Sequence, residues 1–187
     1  TAGEFDNMPP HFAKTRETEP DFSMYDEPGG KGLHGFQSHQ HTEDELRRST
    51  AAYYGMISLI DQEIGRILDY IDQAGIADNT LIVFTTDHGH LIGQHGLIAK
   101  GAFHYEDLLR VPMLVRYPGH VPAGQVSDAI QSLVDYPQSF LAAAGIDAPG
   151  AMQGVNQFPV WCGEVDRARD HALVENRHNP TTVHLRT

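Results

Sequence analysis

The sequence predicts an α/β fold, and three observations lead to this prediction. A long amphipathic pattern occupies the first half of the chain, short apolar runs rich in β-branched residues follow it, and helical and extended patterns then alternate. The run at 80–86 lacks the alternation of polar and apolar residues seen in half-buried strands. Such a run is typical of a strand covered on both faces, as in α/β proteins.

Two regions are predicted along the chain. Residues 1–41 form an irregular segment, since Pro9-Pro10 and Pro28-Gly29-Gly30 are combinations that mark turns and loops. Residues 42–187 form a domain. It opens on Thr42 and Glu45, whose spacing is that of a capping box at a helix start.

A long helix follows this cap, over about 43–74. Its apolar residues recur at intervals of three and four, which places them on one helical stripe. The stripe comprises Tyr53, Met56, Ile57, Ile60, Ile64, Ile67, Leu68 and Ile71. Gly75 is the predicted C-terminal cap.

The remaining elements are shorter. Strands are predicted at 80–86 and 111–117 from their β-prone apolar content. A helix is predicted over 130–144, where it would end at a glycine, and further strands at 171–175 and 182–186.

Composition limits the choice of partners. The chain has 13 Lys and Arg against 25 Asp and Glu, a formal net charge of -12. No basic surface is available to neutralise phosphates, so we expect neither nucleic acid nor a membrane as partner. Cys162 is the single cysteine, so no internal disulfide can form and the localisation stays open.

The most informative motif is Thr86-Asp87-His88-Gly89, at the end of the first predicted strand. Ligands of α/β sheets bind outside the carboxyl ends of strands. Asp87 offers a hard anionic oxygen and His88 a neutral nitrogen, a pair that suits a divalent cation. Gly89, like Gly93 and Gly96, would let the backbone approach a ligand closely.

Each of these residues could instead have an ordinary structural role and no part in a metal site. Asp87 could bond backbone amides in a turn, and Lys100 taken alone is typical of a solvated surface. His90, His95 and His104 could each be polar side chains without a role. The tripeptide by itself does not decide between a metal site and a turn.

The whole pattern is more specific than its parts, and it resembles the sulfatase family of the alkaline phosphatase superfamily. The matching motifs are Thr86-Asp87-His88-Gly89, Gly93-x-His95-Gly96, Lys100, Tyr105-Glu106 and Arg110-Val111-Pro112. The segments SLIDQEIGRILDYIDQAGIADNTLIVFTTDHG and SLVDYPQSFLAAAGIDAPGAMQG are similar to a long helix with its metal-ligand strand and to the helix that follows. The resemblance covers about 42–187 and implies a mixed, largely parallel sheet between helix layers, incomplete here.

The resemblance also implies roles for three residues. Asp87 and His88 would be two ligands of a divalent cation, usually Ca²⁺ in this family, with Mg²⁺ or Mn²⁺ possible. Lys100 would be both catalytic and substrate-binding, since a compact ammonium is a good point-charge partner for a sulfate oxygen or for the leaving oxygen. The substrate would be a small-molecule or glycan sulfate ester.

Two family motifs do not occur in this chain. The nucleophile, a formylglycine made from Cys or Ser in a Cys-x-Pro-x-Arg or Ser-x-Pro-x-Arg motif, is absent, as is the Asp-Asp pair that supplies other metal ligands. Cys162 is followed by Gly-Glu-Val and does not match. We therefore expect a middle-to-C-terminal part of a sulfuric ester hydrolase, whose partner is the missing N-terminal part and which is inactive alone.

Two other functions remain open on the sequence. Phosphonate monoester and phosphodiester hydrolases of the same superfamily share the Asp-His-Gly and Lys pattern. A non-catalytic domain that keeps the fold and binds a metal is the third interpretation, and a full-length sequence without the nucleophile motif would favour it.

Overall fold

The structure is a computed structural model that describes residues 41–101, 104–175 and 183–186. The predicted irregular segment, up to residue 40, lies outside the described residues. The chain divides into two compact units. The described part of the first comprises 41–65, 88–101 and 104–111, and that of the second comprises 66–87, 112–175 and 183–186.

Helix α1, Glu43–Gln73, confirms the predicted long helix. At its start the backbone N–H of Thr42 donates to Glu45 Oε2 over 2.8 Å, and that of Glu45 donates to Thr42 Oγ1 over 3.3 Å. The Thr42 donors hold the pKa of Glu45 below its ordinary value. At the end of the helix Gly75 is left-handed (φ 67°), the conformation that stops a helix.

The apolar stripe of α1 stays largely exposed among the described residues. No residue of the helix is buried, and Met56, Ile57 and Ile60 are each about half exposed. Within the first unit, Tyr53 stacks on His90 with ring centroids 5.6 Å apart. In the part of the chain that the structure describes, no helix is long and apolar enough to cross a membrane.

A short hairpin forms the centre of the first unit. Strands β2, Leu91–Ile92, and β3, Ile98–Ala99, pair antiparallel, and a single helical turn, α2, Glu106–Leu109, packs against them. The core consists of three buried leucines with Tyr105 beside them: Leu91, Leu97 and Leu108. Sequence analysis did not predict this hairpin, because strands of two residues carry no periodicity.

The second unit contains two further strand pairs. The elements are β1 Ile82–Thr85, β4 Met113–Arg116, α3 Tyr136–Ala143, α4 Phe158–Trp161, β5 Ala172–Glu175 and β6 Val183–Arg186. Strand β1 pairs with β4, and β5 pairs with β6. The core of this unit is built from three residues: Tyr136, Val160 and Trp161.

The expected parallel sheet is not confirmed. Each strand pair among the described residues is antiparallel. A parallel pair needs a crossover connection, usually a helix. Between β1 and β4 the described chain holds the β2–β3 hairpin and one helical turn instead. Strand β1 is also not covered on both faces by described residues, because Phe84 is 39% exposed.

The helix predicted over 130–144 begins later than expected. Residues Leu133–Asp135 form a 3-10 turn, and α3 starts at Tyr136. Pro137 explains the shift, because proline is tolerated in the first helical turn but not in the interior. The predicted end is confirmed, since Gly145 is left-handed (φ 70°) directly after the helix.

A buried carboxylate joins this helix start to the later part of the second unit. Asp135 is fully buried and accepts from the backbone N–H of Ser132 and Val155, both over 3.0 Å. It also accepts from Gln157 Nε2 over 2.9 Å and forms an ion pair with Arg169. A buried charge requires such partners, so this network fixes the fold and is not a candidate for chemistry.

Candidate active site

The predicted metal-ligand residues directly follow β1. Asp87 is exposed, and its Oδ1 accepts from the Thr86 hydroxyl over 3.2 Å. His88 is half-buried, and its Nδ1 lies 2.8 Å from the carbonyl oxygen of Gly89. Each of the two side chains is therefore oriented by an immediate neighbour in the chain.

His88 also contacts the predicted catalytic lysine. Lys100 Nζ lies 2.7 Å from His88 Nε2, although the two residues are 12 positions apart. An ammonium only donates, so Nε2 must be the acceptor and the neutral ring carries its proton on Nδ1. That proton is donated to Gly89, so the two contacts specify one tautomer.

The hairpin delivers Lys100 to this position. Lys100 follows β3 directly, and Ala99 before it has a left-handed backbone (φ 61°). At the hairpin tip Gly93 and Gly96 are also left-handed, with φ of 110° and 68°. Glycine adopts this conformation at little cost, whereas alanine does not, so the backbone before Lys100 is held in an uncommon shape.

Gly89 is explained by backbone packing within the chain. Its N–H donates to the carbonyl oxygen of Leu108 over 2.9 Å. A Cβ at this position would lie 1.7 Å from the backbone oxygen of Asp107, an impossible distance. Gly89 was predicted to let the backbone approach a ligand. In the structure the missing side chain instead allows the backbone of α2 to pack against Gly89, next to His88.

His95 is a residue whose contacts the sequence analysis missed. The sequence left open whether His95 was a polar side chain without a role or part of the Gly93-x-His95-Gly96 motif. In the structure its Nε2 lies 3.0 Å from Asp107 Oδ2, and its ring stacks on that of Tyr105 with centroids 3.7 Å apart and an interplanar angle of 5°. Its backbone is left-handed (φ 57°). The sequence signal that could have indicated these contacts is the position of His95 between Gly93 and Gly96, which predicts a tight turn. In such a turn a residue other than glycine keeps a left-handed backbone only where its surroundings stabilise it.

The donors suit a divalent cation in type. A carboxylate oxygen and a neutral imidazole are ligands of such ions, and a ligating histidine usually donates its other ring N–H to a carbonyl or carboxylate, as His88 does. Among the described residues no group of three or more His, Cys, Asp or Glu side chains could hold a metal. Asp87 and His88, consecutive in the chain, are thus donors of the type that such an ion takes.

The surroundings of Cys162 disfavour a role as nucleophile. Burial raises the pKa of its thiol, and the nearby carboxylate of Glu164 raises it further. The thiolate is the reactive form, so both effects lower the reactivity of this cysteine. This agrees with the mismatch of its neighbours to the nucleophile motif.

Comparison with known proteins places these features in a family context. The family model described as Sulfatase matches residues 7–146. The N-acetylglucosamine-6-O-sulfatase of Bacteroides thetaiotaomicron is 37% identical over 131 residues, which are 70% of this chain and 22% of that relative.

Solved structures give the same result. One, a complex with its substrate D-glucosamine-2-N,6-O-disulfate, matches with a TM-score of 0.58 and 38% identity over 63% of this chain and 24% of that one. The phosphonate monoester hydrolase of Agrobacterium radiobacter matches with a TM-score of 0.65 and 33% identity over 71% of this chain and 26% of that one. The chain spans about a quarter of the length of these proteins.

Proposed function

The chain belongs to the sulfatase family, and from this premise we propose that the protein containing it hydrolyses sulfate esters and that this chain supplies part of the metal and sulfate site. The observation that carries the proposal is the 2.7 Å contact between Lys100 and His88. This contact puts the Lys100 ammonium, the expected sulfate-binding group, next to His88, an expected metal ligand.

Lys100 acts on the sulfate group in this proposal. Its ammonium binds a sulfate oxygen, or offsets the negative charge that develops on the leaving oxygen as the ester bond breaks. A compact, strongly hydrated point charge suits either role. The hairpin fixes the backbone from which the side chain extends, so reorientation of the ammonium needs only side-chain rotation.

Asp87 and His88 hold the divalent cation, with Ca²⁺ the first choice and Mg²⁺ or Mn²⁺ in second place. When bound, such a cation polarises sulfate oxygens as a Lewis acid. His88 presents Nε2 as the ligand atom, because its Nδ1 proton is engaged by Gly89. Thr86 orients the Asp87 carboxylate from its own neighbouring position.

The nucleophile lies outside this chain in the proposal, as a formylglycine made from an upstream Cys or Ser. Without it, Lys100 and the two ligands have no group that forms the covalent intermediate, so the chain alone does not turn over substrate. The missing N-terminal part of the same protein is accordingly its essential partner.

Glycan sulfates are the substrates we propose first. The similarity to an N-acetylglucosamine-6-O-sulfatase and to a structure bound to a sulfated glucosamine supports this choice. Phosphonate monoester hydrolysis is the second candidate, and the match to the Agrobacterium enzyme supports it.

The test uses the full reading frame, expressed where formylglycine is formed. Initial rates are compared for glucosamine-6-sulfate, 4-nitrophenyl sulfate and a phenylphosphonate monoester, with and without Ca²⁺. Faster turnover of the sulfate esters supports the proposal. Faster turnover of the phosphonate establishes the second candidate, and metal binding without any turnover establishes a non-catalytic domain.

A further inference from the structure

We infer that His95 is a positioning residue for Lys100, because its side chain ties the tip of the β2–β3 hairpin to α2 and thereby determines where the hairpin delivers the lysine. The inference rests on the proposed function only for the role of Lys100 in hydrolysis. The contacts that carry it are independent of that role.

The first of these contacts is at the hairpin tip. His95 Nε2 lies 3.0 Å from Asp107 Oδ2, and the two side chains are only 27% and 32% exposed. Partial burial limits the competition from water that a fully exposed hydrogen bond would meet. The nearly parallel stack of His95 on Tyr105 holds the same ring from its face. One imidazole is therefore fixed both at its edge and on its face.

The side-chain contacts of His95 stabilise an unusual backbone conformation in the hairpin. His95 and Ala99 both have φ near 60°, which is uncommon for residues other than glycine. Such conformations persist only where the surroundings determine them. Relaxation at His95 would change the path of the chain towards Ala99, and with it the direction in which Lys100 leaves β3.

The contacts form a closed circuit around the candidate site. Lys100 bonds His88, and the other ring nitrogen of His88 bonds Gly89. The backbone of Gly89 is in turn bonded to α2, the helix that carries Asp107. His95 closes the circuit by joining Asp107 to the hairpin that ends in Lys100. Loss of the His95 contact with Asp107 should therefore let Lys100 move away from His88, although neither Lys100 nor His88 has been substituted.

The ¹⁵N resonances of the His88 ring measure this directly. With Lys100 in place, Nε2 is a fixed acceptor and Nδ1 a fixed donor, so the two ring nitrogens give well-separated ¹⁵N resonances. If Lys100 moves away, Nε2 loses the hydrogen bond from the ammonium while Nδ1 stays bonded to Gly89, so the Nε2 resonance moves and the separation changes. The measurement is made on the metal-free chain with ¹⁵N-labelled histidine, and His88→Gln assigns the signals.

The central variant is His95→Asn. Asparagine tolerates the left-handed backbone but is too short to maintain the hydrogen bond to Asp107 or the stack on Tyr105, so it removes these side-chain contacts and keeps the backbone. We expect the separation between the two His88 nitrogen resonances to change, because Nε2 loses the hydrogen bond from Lys100. In Asp107→Asn, which keeps an acceptor oxygen for His95, we expect it to be retained. In the matched control His120→Asn, which breaks a similar stack on Tyr117 in the second unit, we expect no change.

The inference is overturned if His95→Asn loses thermal stability but keeps the full separation at His88, because His95 is then merely structural. Should His95→Asn not fold, Asp107→Ala gives the same readout from the other side of the contact, and an unchanged separation there also overturns it. In the full protein, we expect His95→Asn to lower kcat/KM by up to about 100-fold, chiefly through kcat, as misplacement of a catalytic group by about 1 Å does. If the separation changes as expected but the wild-type full protein hydrolyses no substrate, the proposed function fails while the positioning role stands.

Discussion

Lys100 Nζ donates to His88 Nε2 over 2.7 Å, so the ammonium uses the lone pair that a divalent cation at His88 would need. The lysine and a cation cannot share that lone pair. If His88 ligates a metal, Lys100 must turn away from it. The same rotation makes its ammonium available to a sulfate oxygen.

Removal of Lys100 is therefore expected to separate metal binding from catalysis. Lys100→Met removes both the competitor for Nε2 and a nearby positive charge. Two unit charges about 4 Å apart repel by about 1–4 kcal/mol near a protein surface. We expect the Ca²⁺ affinity of the full protein, measured by calorimetry, to rise about tenfold, which corresponds to about 1.4 kcal/mol.

In the full protein the same variant should lose about 10²–10³-fold in kcat, the usual effect of deleting one group that stabilises developing charge. Lys100→Arg keeps the charge and serves as the control, with no gain in Ca²⁺ affinity. A Lys100→Met protein that binds Ca²⁺ no better than wild type would contradict competition at Nε2.

Thr86 should tune the metal affinity without being a ligand. Its hydroxyl donates to Asp87 Oδ1 over 3.2 Å, and loss of such an orienting group typically costs about 10–100-fold in metal affinity. We expect that loss in Thr86→Val by Ca²⁺ titration. Thr85→Val, one position earlier, removes a hydroxyl that donates to the backbone carbonyl of Thr86 and should leave the affinity unchanged. Equal effects of the two variants would show that the Asp87 contact is unimportant.

Gly89 should tolerate no side chain. A Cβ there would lie 1.7 Å from the backbone oxygen of Asp107, and backbone cannot rotate away as a side chain can. We expect Gly89→Ala to lower the free energy of unfolding by about 1–3 kcal/mol or more in urea denaturation. Gly55→Ala is the matched control: its Cβ would meet nothing within 4 Å, so we expect α1 to gain about 0.5–1 kcal/mol. A neutral Gly89→Ala would mean that α2 does not pack behind His88.

The elements that could be predicted are those whose signal is local. The cap at Thr42, the stripe of α1 and the stop at Gly75 all act within one helix, so the sequence determines them without tertiary information. His88 and Lys100 were predicted to belong to one site, but a direct contact between them was not predicted. Spacing along the chain does not reveal which nitrogen meets which side chain.

The parts that could not be predicted depend on packing between segments. The role of Gly89 follows from the backbone of α2, and that of His95 from Asp107 and Tyr105; neither partner is a neighbour in sequence. The apolar content of β1 predicted coverage on both faces, and the largely parallel sheet was implied by the family resemblance. Apolar content reports burial and not the orientation of the adjacent strand.

The cap of α1 gives a dependence of stability on pH. Because the backbone N–H and hydroxyl of Thr42 lower the pKa of Glu45 in the folded chain, the stabilisation is complete above the ordinary value of 4.5 and is lost as the pH falls through the lower, folded value. We expect Glu45→Gln to be less stable than wild type at neutral pH, with the difference shrinking below pH 4.5. Urea denaturation across this range, followed by far-ultraviolet circular dichroism, measures it. A difference that stays constant with pH would rule out the ionised cap.

The buried pair of Asp135 and Arg169 should respond unequally to loss of either member. Asp135→Ala leaves a guanidinium, only 14% exposed, without its counter-charge and also removes the acceptor for Ser132, Val155 and Gln157. Breaking a buried pair in this way costs about 3–5 kcal/mol. Arg169→Met should cost less, because the carboxylate keeps those three donors.

The control for this comparison is Asp72→Ala, which breaks the exposed ion pair with Arg116. Its side chains are 56% and 44% exposed, so the expected cost is below about 1 kcal/mol. Urea denaturation of the three variants gives the free energies of unfolding under one condition. The order Asp135→Ala, Arg169→Met, Asp72→Ala, from most to least destabilised, is expected because desolvation, and not the number of charges, sets the cost. An Asp135→Ala chain as stable as Asp72→Ala would mean that the network does not hold the second unit together.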